Sequence, residues 1–116
     1  MKTVPWLAAL AASVAAALYV EWHTDEVTVV LAVLLLCAAL LGAAKPSLAP
    51  IAGAVIGFSI LAAHAVTEAT GTLRPHYEHA PVRPGDWAAM AIAGVVVTGV
   101  AWFAARLATA AARGQL

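Results

Sequence analysis

Four long apolar runs, separated by short polar breaks, constrain this chain more than anything else in it. They cover roughly Val4 to Trp22, Glu26 to Ala44, Leu48 to Glu68 and Trp87 to Arg106. A helix needs about 20 mostly apolar residues to cross the hydrocarbon core of a bilayer. In lipid the backbone must satisfy its own hydrogen bonds, and a helix does so within a single segment. Of the 116 residues, 64% are hydrophobic and 10% charged. Soluble domains carry roughly 25% charge, and a chain this short buries too little of its surface to hide that much apolar area from water. The expected fold is an all-α integral membrane protein. It forms one domain over residues 1–116, a four-transmembrane-helix bundle of two hairpins.

Boundary chemistry fits these spans. Pro5 falls in a first turn, where its missing N–H is harmless. Thr24 or Asp25 is expected to cap the second helix, Ser47 the third and Asp86 the fourth. Two connections are tight, and an outer loop of about residues 69–85 is longer and holds Pro75, Pro81 and Pro84. Lys2, the apolar run after it and Ala15–Ala17 resemble a secretory signal peptide. We read the segment as a retained first helix.

Charge is segregated between the two ends of the spans. Lys2, Lys45, Arg106 and Arg113 fall at one end. Glu21, Asp25, Glu26, Glu68, Glu78 and Asp86 fall at the other, with all four histidines and only Arg74 and Arg83 to offset them. The ends therefore carry +4 and −4, with histidine neutral. Positive residues beside spans mark the cytoplasmic side, so both termini are expected inside, in a bacterial inner membrane. Trp6 and Trp102 would mark the inner interface, and Trp22 and Trp87 the outer one. Along their helices, Trp6 and Trp22, and likewise Trp87 and Trp102, lie about 23 Å apart.

The third span has the clearest stripe. Gly53, Gly57, Ile60, His64 and Glu68 share a face at spacings of three or four. Gly53 and Gly57 form a GxxxG pair that admits a close helix. Ser13, Ala17 and Glu21 form a matching stripe on the first span, so the two helices are expected to pack with their acidic ends together.

Carboxylates and imidazoles bind divalent cations, and ionisable residues at membrane depth are functional candidates by default. Glu21, His23, His64 and Glu68 are the candidate ion or proton site at the outer mouth, with a divalent cation as a possible occupant. His76, Glu78 and His79 in the loop form a weaker candidate, because two histidines do not complete a zinc site. The competing reading has Asp25 and Glu26 complementing a helix N-terminus, Glu21 and Glu68 solvated or paired with Arg74, and His64 bonding to a neighbouring helix. Ser13, Ser59 and Thr98 lie at mid-depth, either lining a polar path or bonding to their own helices. Cys37 is the one cysteine, so no internal disulfide and no cysteine metal cluster can form. No cofactor, nucleic-acid patch or enzymatic nucleophile motif is expected.

Two functions fit. The first is a small homo-oligomeric transporter or channel with an acidic, histidine-rich mouth for cations or protons. The second is a non-transporting structural or accessory subunit that uses the GxxxG face to hold a partner membrane protein.

Overall fold

The computed structural model describes residues 2–23, 27–70 and 84–114. Among them every regular element is helical. The helices are α1 (Thr3–His23), α2 (Val27–Ala44), α3 (Ala49–Gly57), α4 (Ser59–Thr70) and α5 (Pro84–Ala112), with a 3-10 turn at Pro46–Leu48. Three stretches are long and apolar enough to cross a membrane: α1, the segment Pro46–Ala69, and α5. The expected second crossing, α2, is 18 residues, about 27 Å at 1.5 Å per residue. It falls just short of the length the others reach. Thr24 and Asp25, its expected caps, lie outside the described residues.

Contacts fix the directions. Trp6 at the start of α1 meets Leu41 at the end of α2, so the two run antiparallel. Gly42 lies against Ala101, Gly53 against Thr98 and Gly57 against Gly94. Hence α5 runs parallel to α2 and antiparallel to α3. It packs between them, while α1 packs on α2 and on the α3–α4 stretch. Among the described residues α1 and α5 do not touch. Lys2, Lys45 and Arg106 therefore gather at one end of the bundle, and Glu21, Glu68 and Asp86 at the other.

The core is built from small residues. Ala17, Ala38, Ala49, Ala52 and Ala101 are fully buried, with Trp6, Ile56 and Val97 the largest fully buried side chains. Lipid is as apolar as leucine, so close packing of small residues must supply the contact energy between helices. Large apolar side chains instead point outward on every span, among them Leu7, Leu36, Leu40, Ile51, Val66, Ile92, Val95 and Phe103. That pattern suits a bundle bathed in lipid.

Several sequence expectations need correction. The third span is not one uninterrupted helix: Phe58 forms a turn between α3 and α4. The ladder persists across it, since the Phe58 amide donates to Ala54 O and Phe58 O accepts from the Ala62 amide, both at 3.0 Å. The Ser59 hydroxyl also donates to Ile56 O at 2.6 Å. A serine bonding back into its own helix competes for the ladder carbonyl and bends the axis. Ser47 does not cap. It sits inside the 3-10 turn, and the N-caps of that turn and of α3 are Lys45 and Leu48, neither making a side-chain hydrogen bond to the turn it caps. Prolines in each first turn already remove donors that a cap would satisfy. The last helix begins at Pro84, so Asp86 is not its N-cap but lies in its first turn, where a carboxylate complements the helix dipole. It also continues past Arg106 to Ala112, because alanines propagate a helix wherever the bilayer ends. Gly114, at φ 72°, closes it in the left-handed conformation glycine permits.

Trp6 is not an interfacial anchor. It is fully buried, and its Nε1–H donates to Leu41 O at 3.0 Å. Trp102 is half exposed, with the Arg106 guanidinium 5.1 Å from its ring centroid. The glycine stripe is also divided. Gly53 and Gly57 meet α5, whereas His64, beyond the Phe58 turn, meets α1.

Candidate functional site

Glu21 stands in the last turn of α1, two residues before its end. The partial negative charge of a helix C-terminus disfavours a carboxylate there and favours a cation. The position of Glu21 calls for a partner outside α1. The partner comes from α4. His64 Nε2–H donates to Glu21 Oε1 at 2.9 Å, with the two side chains only 10% and 12% exposed. An ionised carboxylate only accepts, so the proton on that line belongs to the imidazole nitrogen. A charge-assisted bond at this distance is among the stronger polar contacts a protein makes.

Local bonds hold the histidine. The buried Thr67 hydroxyl donates to His64 O at 3.0 Å, and Ile60, one turn earlier, is buried in the core. Ala17, one turn below Glu21, is fully buried. The pair thus crowns a dry contact between α1 and the third span.

The other candidates stand apart. His23 is exposed, stacks on Tyr19 with ring centroids 4.1 Å apart, and donates from Nδ1 to Tyr19 O at 2.7 Å. Glu68, one turn beyond His64, is exposed. His76, Glu78 and His79 lie outside the described residues. Among the described residues no three His, Cys, Asp or Glu side chains gather to hold a metal. Glu21 and His64 offer two donors to a cation, and any further ligands must come from elsewhere. Sequence reasoning missed Thr67 and Tyr19. Their spacings, three residues from His64 and four from His23, were the available signal.

At mid-depth the hydroxyls turn back on their own helices. Ser13 donates to Ala9 O at 2.8 Å and Thr98 to Gly94 O at 2.8 Å, as Ser59 does to Ile56 O. Their protons are engaged and do not line a path. Cys37 is half-buried and free.

Comparison with family models, curated proteins and solved structures finds no match to this chain.

Proposed function

We propose that this chain is a four-span inner-membrane transporter or channel that handles cations or protons, working as a homo-oligomer with both termini in the cytoplasm. The observation that carries this reading is the buried Glu21–His64 pair. A carboxylate at the wrong end of a helix dipole, desolvated and paired with a titratable histidine, costs stability that packing alone would avoid. Alanine at both positions would fill the same small-residue contact. The acidic end supports the direction, because a negative mouth concentrates cations, and the basic end supports the orientation by the positive-inside rule. In this arrangement α2 completes the fourth crossing, shielded by α1, α3 and α5. The alanine-filled bundle leaves no wide pore, so passage runs beside the pair or between copies. The accessory-subunit alternative loses its expected docking face, since α5 occupies Gly53 and Gly57.

Purified protein in liposomes tests the proposal by cation and proton entry under imposed gradients. Entry above protein-free vesicles is expected, with a large loss in Glu21→Gln. Folded parent protein that admits no ion would remove the transporter reading.

A further inference from the structure

Resting on that reading, we propose that the ion handled at the Glu21–His64 pair is the proton, with α4 the element that responds to it.

The geometry is that of a proton site. Nε2 and Oε1 lie 2.9 Å apart in direct contact, leaving no room between them for a metal ion. A cation bridging a carboxylate and an imidazole stands about 2.0–2.2 Å from each and would have to separate them. A proton instead fits the contact as it stands.

Charge bookkeeping gives the coupling. With neutral imidazole and ionised carboxylate the pair carries −1. One proton taken from water and placed on Nδ1 of His64, an atom buried in the closed contact, makes imidazolium facing carboxylate, and the pair becomes neutral overall. A net-neutral ion pair with good geometry tolerates desolvation far better than a lone buried charge. The loaded pair therefore favours the closed, dry contact between α1 and α4. The emptied pair favours opening toward water, where the next proton is taken up.

The break at Phe58 makes α4 the element suited to such a movement. Its neighbours are α1, α3 and α5, and among the described residues it does not touch α2. The turn at Phe58 separates it from α3, which is wedged against α5 through Gly53 and Gly57. Among the described residues, the other titratable groups at that end are Tyr19 and His23 on α1, Glu68 on α4 and Asp86 on α5, while α3 brings none.

The test uses the whole protein in liposomes, parent beside His64→Gln and Glu21→Gln. Proton entry is followed with a trapped pH dye, and sodium, potassium, magnesium, calcium and zinc entry is followed separately. Glutamine at 64 keeps an amide N–H to offer Glu21 and cannot take up a proton. Glutamine at 21 keeps an acceptor and loses the charge. The parent is expected to admit protons and none of the metal ions, and both variants to fall to the level of empty vesicles. Proton entry undiminished in a folded His64→Gln protein overturns the inference. Metal-ion entry without proton entry in the parent also overturns it while leaving the broader transport reading standing. No entry of any ion by the parent removes both. The parent's ion selectivity decides the matter even if neither variant folds.

Discussion

Trp6→Ala is expected to destabilise the bundle by on the order of 3 kcal/mol, chiefly through the void it leaves. Trp6 is fully buried and joins α1 to α2 through its bond to Leu41 O. That carbonyl also accepts the Lys45 amide at 3.1 Å, so the indole adds a second bond where α2 ends. The transfer term familiar from soluble cores is small here, because lipid is as apolar as the site. The cavity and the lost contacts remain. Trp6→Phe keeps most of the volume and should lose about 1 kcal/mol, near the net worth of one hydrogen bond. Unfolding in detergent, followed by fluorescence of the remaining tryptophans, measures both. A Trp6→Ala protein within about 0.5 kcal/mol of the parent, the usual range for surface changes, would return Trp6 to the membrane interface.

The second large effect comes from glycine. A Cβ on Gly42 would lie 2.4 Å from Ala101 O and 3.0 Å from Ala101 C, both backbone atoms of α5. Backbone cannot rotate aside as a side chain can, so α2 and α5 must separate. Overpacking of this kind costs about 1–3 kcal/mol, against which alanine recovers roughly 0.5–1 kcal/mol of helix preference. Gly42→Ala is expected to end as a net loss. Gly99 on α5 is the matched control, since a Cβ there meets nothing within 4 Å. Gly99→Ala should be neutral or slightly stabilising. Equal behaviour of the two variants in the same unfolding assay would contradict the α2–α5 contact.

The contrast between these residues shows what the sequence could carry. Periodicity and apolar length placed most helix ends to within a few residues, the far end of α5 excepted, because both are properties of a single segment. Charge segregation followed from the same spans: Lys2 and Lys45 lie at one end of the bundle and Glu21 and Glu68 at the other. Glu21 and His64 were two of four candidates, with His23 and Glu68, drawn from the acidic ends of two small-residue stripes, and the structure joins these two. Which neighbour a face meets was not legible. Gly53 and Gly57 share a helical stripe with His64, yet they meet α5 while His64 meets α1. The turn at Phe58 causes the division, and a Gly-Phe-Ser sequence signals it only weakly. Trp6 misled because a tryptophan near a span end reads as interfacial, whereas a nearby helix terminus offered it an acceptor inside the protein. The length of α5 was underestimated because Arg106 was read as a boundary. An arginine lying over Trp102 continues a helix as readily as it ends one.

The central claim is that Glu21 and His64 act as one unit joining α1 to α4. The most direct measurement is a double-mutant cycle of unfolding free energies, from the parent, Glu21→Ala, His64→Ala and the double variant. Residues in contact couple by about 0.5–3 kcal/mol, and membrane polar pairs fall at the lower end of that range. A coupling near 1 kcal/mol, with the double variant losing less than the two singles added together, is the predicted result. Losses that simply add would mean that the pair does not form and that the proposed site has no basis.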